Sequence, residues 1–210
     1  MQSQIMRVTG PMNTINDEVI GGAGTFLNST SSAVGGQLGK YLDLDDSMLF
    51  FDSAVGTLYG GRYQYVQLSA ASTEPALGQL VFWDIAVASN LYRVTTLESG
   101  SVPGAQFRAG IVINPDWTPG YYSLIQTIGI VDVKFRAALS SAPGGVGAAA
   151  YAAGAGAGAD NGLADIIDSA DPAAFEDVNL MANRYLGPTR ELAINGGTTL
   201  VYLMPATMQL

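Results

Sequence analysis

The sequence predicts an all-β chain: a small antiparallel β-barrel or sandwich carrying an extended N-terminal arm and a Gly/Ala-rich loop. Three observations lead there. Short apolar or alternating runs recur between turn residues from Met48 onward, 26 glycines and 9 prolines punctuate 210 residues, and an Asn-Gly pair separates two apolar runs near the end. Such closely spaced strands leave no room for the helical crossovers of a parallel α/β sheet.

Residues 1–47 contain Gly21-Gly22, Gly35-Gly36 and a Ser/Thr-rich run from Asn28 to Ser32, with little sustained periodicity. They read as an extended arm. Its apolar residues, Ile5, Val8, Val19 and Ile20 among them, suffice for docking on a partner but not for a core, which makes these four candidate interface residues. A chain starting near Leu44 is therefore expected to fold normally.

The β domain is assigned to residues 48–210. Its predicted strands are Met48 to Asp52, Gly61 to Leu68, Gln79 to Asp84, Tyr92 to Leu97, Phe107 to Asn114, Tyr121 to Ile128 and Ile130 to Phe135. In the last, Val131, Val133 and Phe135 share one face and Asp132 and Lys134 the other, the period of two of a half-buried strand. Residues 143–162 are almost all Gly and Ala and read as an insert too small in side chain to pack a core. It is either a surface excursion that lies flat on a neighbour or a mobile loop. A short helix is expected over Pro172 to Met181, capped by Asp171 with Pro172 in first position. Asn195-Gly196, between Glu191-Ile194 and Leu200-Met204, predicts a tight hairpin with both turn residues at positive φ.

Composition narrows the chemistry. The net charge is −9 and no stretch clusters Lys or Arg, which argues against nucleic acid as a partner because phosphate neutralisation supplies most of that affinity. No apolar run approaches the roughly 20 residues of a membrane helix, and the first residues lack the pattern of a signal peptide. No membrane partner is expected. With only 13% charged residues against 48% hydrophobic ones, uncharged surface is expected to meet other protein.

The chain has neither Cys nor His, which removes thiolate chemistry, the commonest metal ligands and the commonest hydrolase bases. Around Lys40, Val34 stands where a phosphate loop needs Gly, and Tyr41 replaces its Ser or Thr. From Asp43 to Ala54, Met48 and Ala54 occupy the Gly and bidentate-acid positions of a calcium loop. Both motifs fail, and no cofactor, metal or catalytic residue is assigned. A pair of carboxylates among the 18 acids leaves a glycosidase open as an alternative. Among the aromatics, Trp83 belongs to an apolar run and suits a core. Trp117, Tyr121 and Tyr122 lie in or beside the turn-rich Asn114 to Gly120 and are candidate interface residues, with core packing the other role for Trp117.

Three stretches resemble small virion proteins of tailed phages, of the capsid decoration, cement or minor head type. Gly60-Gly61-Arg62-Tyr63-Gln64-Tyr65-Val66 with Leu77-Gly78-Gln79-Leu80-Val81 looks like that group's opening strand pair. Ala109-Gly110-Ile111-Val112 and Pro119 to Gly129 are similar to its Gly-Val-Ala and Gly-x-Tyr-Gly-Trp-Ile-Gln-x-x-Gly pattern, with Ile111-Val112 in place of Val-Ala and Ser123-Leu124 in place of Gly-Trp. Tyr185 through Leu203 resembles its closing hairpin. The resemblance implies a non-enzymatic structural protein, made in the host cytoplasm, that binds the outside of the capsid shell. Its implied partners are the major capsid protein and itself, as a homo-oligomer and most often a trimer. A head-fibre or tail module binding host sugars through exposed aromatics is the alternative within virions.

Overall fold

The structure is a computed structural model that describes residues 38–52, 56–84, 91–96, 107–114, 116–139, 145–153, 162–166 and 184–205. Among them are ten strands and no helical element: β1 (Tyr41–Asp52), β2 (Gly56–Leu68), β3 (Leu80–Trp83), β4 (Arg93–Thr95), β5 (Arg108–Val112), β6 (Tyr122–Lys134), β7 (Ala149–Ala152), β8 (Ala164–Ile166), β9 (Tyr185–Pro188) and β10 (Thr198–Leu203). The all-β expectation holds. The predicted arm residues Ile5, Val8, Val19 and Ile20 and the predicted helix lie outside the described residues.

Seven strands form one sheet in the order β1-β2-β4-β3-β5-β6-β10, and an additional pairing of β2 with β6 closes the middle five into a ring. The ring is filled by one cluster to which every ring strand contributes: Val66 and Leu68 from β2, Val81 from β3, Val94 from β4, Ala109 and Val112 from β5, Ile125 from β6. Each of the buried Val, Leu and Ile side chains in it stabilises by about 1.5–3 kcal/mol. The ring departs from the antiparallel expectation at one seam, because β2 and β4 run parallel through Gln67↔Arg93 and Leu68↔Val94. The segments compared with an opening strand pair are β2 and β3, and β4 stands between them.

A second core fills the space between the outer face of the ring and a three-stranded sheet ordered β8-β7-β9. Leu80, Phe82 and Ile111 reach it from β3 and β5, Val131 and Val133 from β6, Phe135 from just beyond β6, Val201 and Leu203 from β10, and Ala150, Ala152, Ala164 and Leu186 from the small sheet. Along β3 the side chains alternate between the two cores, as a period of two requires for a strand covered on both faces. The predicted facing of β6 is as observed: Val131, Val133 and Phe135 are buried, while Ile130, Asp132 and Lys134 are half-buried.

Three expectations are corrected. The paired strands reach upstream of Met48, into residues assigned to the arm. Tyr41 to Leu44 pair with Gln64 to Gly61, and Leu42 is 1% exposed. The Gly/Ala-rich region is not wholly a loop, since Ala149–Ala152 is the central strand of the small sheet, with Ala150 fully buried. Small side chains are what let that sheet lie close on the larger one. The closing hairpin is not a two-residue turn. β10 meets β9 through Thr189↔Val201, and residues 190–197 form the loop between them. Within it, Gly197 N–H donates to Ile194 O at 3.2 Å and Gly196 alone takes positive φ (+68°), the signature of a type II turn.

Candidate interaction surface

At one end of the ring, β2 finishes between the starts of β4 and β6. Gln67 N–H donates to Tyr92 O at 3.0 Å, and Leu68 N–H donates to Tyr121 O at 2.9 Å. Tyr92 and Tyr121 thus flank one strand end, about 10 Å apart by the spacing of strands. The start of β1 joins the same end, with Tyr41 opposite Gln64. Tyr41, Leu91, Tyr92 and Tyr121 are exposed at 49%, 79%, 38% and 36%.

The framework behind these side chains is tied down. Arg93 and Asp84 form an ion pair at 2.8 Å with Asp84 buried, which pins the start of β4 to the end of β3. The turn before β6 is held by Asp116 N–H donating to Asn114 Oδ1 at 3.1 Å and by Gly120 N–H donating to Leu68 O at 3.0 Å. Tyr122 is half-buried and stacks on the buried Tyr65, ring centroids 6.0 Å apart. Arg62 lies 5.4 Å from the Tyr41 ring centroid and bonds Asp43 at 2.7 Å. That bond raises the Arg62 pKa, and its exposure keeps the pair weak as a source of stability.

Of the two roles open to Trp117, the structure gives it the core one. It is fully buried in the cluster that fills the ring, and its indole N–H donates to Tyr121 O at 2.9 Å. It therefore positions Tyr121 instead of meeting a partner itself. Of the three sequence candidates, the structure leaves Tyr121 exposed, Tyr122 partly so and Trp117 inside. Tyr41, Leu91 and Tyr92 were not singled out in the sequence, because only the shared edge of β2 brings β1 and β4 together.

A second exposed apolar group lies at the other end of β6. Leu192 and Ile194 are 56% and 54% exposed, on a loop anchored by Gly196 N–H to Arg136 O and Phe135 N–H to Gly197 O, both 2.9 Å. Nearby, burial first and then Glu191 raise the Asp132 carboxyl above its usual range. The Glu191 carboxylate is exposed and accepts Leu200 N–H at 2.9 Å. Arg108 is buried and donates to the main-chain oxygens of Leu186 and Met204. Burial pulls it down to about 10, so it is charged at neutral pH. Among the described residues no three His, Cys, Asp or Glu side chains converge as a metal site, and no helix is long and apolar enough to cross a membrane. No family model matches the sequence, and no curated protein is similar to it.

Proposed function

We propose that the chain is a structural, non-enzymatic subunit of a tailed-phage particle that binds the outer surface of the capsid shell and stabilises it. The observation that supports this reading best is the group of exposed tyrosines, Tyr41, Tyr92 and Tyr121, displayed from a rigid strand end. Tyrosine is enriched where proteins meet, because a large ring with a polar tip buries much area at little entropic cost. The stretches that resemble decoration and cement proteins include Tyr121 and Tyr122 themselves. On this reading the partners are the major capsid protein and further copies of the chain in a trimer, and the protein resides on the virion after synthesis in the host cytoplasm.

A shell subunit acts through many weak contacts repeated by symmetry, so it needs a presentable surface and no reaction centre. The test is quantitative mass spectrometry of purified particles. On the order of hundreds of copies per particle is the expected result for a shell protein. About a dozen or fewer would replace this reading with the head-fibre or tail module, for which the same exposed rings would serve as a sugar platform.

A further inference from the structure

The loop of residues 190–197 carries the exposed Leu192 and Ile194. Beyond the Thr189↔Val201 bridge its pairing with β10 advances one more step, with Arg190 N–H donating to Leu200 O at 2.7 Å. There the main chain of the loop stops supplying acceptors, and Leu200 N–H donates instead to the Glu191 carboxylate at 2.9 Å. A charged side chain thus stands where a ladder would place a carbonyl. The second half of the loop is held by neutral groups, Ile194 N–H on Thr199 Oγ1 at 3.2 Å and Gly196 N–H on Arg136 O at 2.9 Å. Glu191 is the charged fastening of the first half.

Asp132 stands opposite Leu200 in the ladder of β6 with β10. Both main-chain groups of Leu200 bond away from β6, so the two residues form a non-hydrogen-bonded pair, the kind whose side chains stand closest, with Cα atoms about 4.5 Å apart. Asp132 therefore faces the strand to which Glu191 is fastened, and the Glu191 charge reaches it: burial first and then Glu191 raise its carboxyl above the usual range. The other ionisable groups around Asp132 come from each element beside it. Lys134 shares its face of β6, Tyr202 shares the face of Leu200 on β10, and Arg190 opens the loop. Tyr59 of β2 has its phenol raised by burial and then by Asp132 and Glu191. The turn from Pro75 to Gln79, whose Gly78 lies against the Asp132 main chain, carries no ionisable side chain. Of these groups, Glu191 is the one that accepts a main-chain N–H through its charge.

We propose that Asp132 and Glu191 form an acid-tightened latch on this loop. With Asp132 ionised, its charge across β10 opposes the seating of the Glu191 carboxylate on Leu200 N–H; with Asp132 neutral, that opposition is gone. The first half of the loop, and Leu192 with it, is then held more firmly in mild acid than at neutral pH.

The experiment follows the Leu200 amide of the full-length protein by NMR hydrogen exchange. Its protection is expressed relative to Met204 N–H, which donates to a carbonyl, Leu186 O, at 2.7 Å. The ratio cancels both global unfolding and the direct effect of pH on exchange. At about pH 7, Asp132→Asn is expected to raise this ratio about three- to fivefold over wild type. The gap should close as the pH falls toward the ordinary 3.8 of the carboxyl. In a Glu191→Gln background the same Asp132→Asn change is expected to alter the ratio by less than about 1.5-fold, because the amide in the latch carries no charge to oppose. An unchanged ratio in Asp132→Asn at neutral pH would show that the two carboxylates do not oppose each other. An equal gain in both backgrounds would show that Asp132 acts through its own burial and not on the latch, and either result overturns the proposal.

Discussion

Deleting the first few residues of β1 separates the observed body from the one expected of a strand beginning at Met48. A chain starting at Leu38 keeps every contact described for this edge, whereas one starting at Leu44 loses Leu42, which is 1% exposed. It also loses Gly39 N–H to Tyr65 O at 2.8 Å, Tyr65 N–H to Lys40 O at 3.0 Å, and Gln64 Nε2 to Gly39 O at 3.1 Å. Leu42 contributes about 2–3 kcal/mol and the three hydrogen bonds about 1 kcal/mol each, net of the ordering they require, giving about 5 kcal/mol. In a domain of this size that lowers the melting temperature by roughly 10–20 °C. The assay is thermal unfolding of the two truncated chains followed by circular dichroism in the far ultraviolet. Equal midpoints would show that the pairing of residues 39–43 with β2 adds nothing to stability and that the body does begin near Met48.

Val133→Asp places a carboxylate where no water reaches and is expected to cost at least about 4 kcal/mol, whereas Ile130→Asp, on the half-buried face, costs about 1–2 kcal/mol; urea midpoints compare them. Ala150→Leu adds three heavy atoms to a fully buried site between two sheets, and overpacking of about 1–3 kcal/mol is expected, against little change for Val146→Leu at 74% exposure. Asp132→Asn tests the half-buried carboxyl. The folded state raises the pKa of Asp132 above its ordinary 3.8, so its ionised form is the one that folding disfavours. The wild type therefore loses stability as pH rises from that ordinary value through the raised one. The Asn variant is expected to be the more stable at pH 7, with the difference vanishing below about pH 3.5, and a constant difference across that range would contradict the assignment.

Much of the strand pattern was legible because its cause is local. β6 alternates over Val131, Val133 and Phe135 because one face is covered by the second core, and a period of two survives in sequence whatever else the chain does. β7 was illegible for the opposite reason. Ala149 to Ala152 carries no contrast between faces, and only the approach of the small sheet to the ring shows why alanine is required there. The tight hairpin failed on a subtler point. Asn195-Gly196 does mark a turn, but β10 pairs along its length with β6, from Thr198↔Lys134 to Leu203↔Gly129, and on its other side meets the chain before the turn only at the Thr189↔Val201 bridge and the Met204 N–H to Leu186 O bond.

The fate of Trp117 follows from ring closure, which no local pattern records. A ring of five strands has a narrow interior, and its open end exposes Leu68, Val94 and Val112 to water unless something covers them. The turn from Asn114 to Tyr121 supplies the cover by folding its indole inward, where the ring joins the same cluster as those three residues. A buried indole N–H must find an acceptor, and the Tyr121 carbonyl at 2.9 Å is the acceptor it finds. That bond fixes the main chain of Tyr121 and leaves its side chain on the outside. Turn chemistry therefore pointed to the right loop as the place where surface is presented, while the larger aromatic in it was needed for the core. The residue that carries the exposed ring is the one whose backbone the core tryptophan holds.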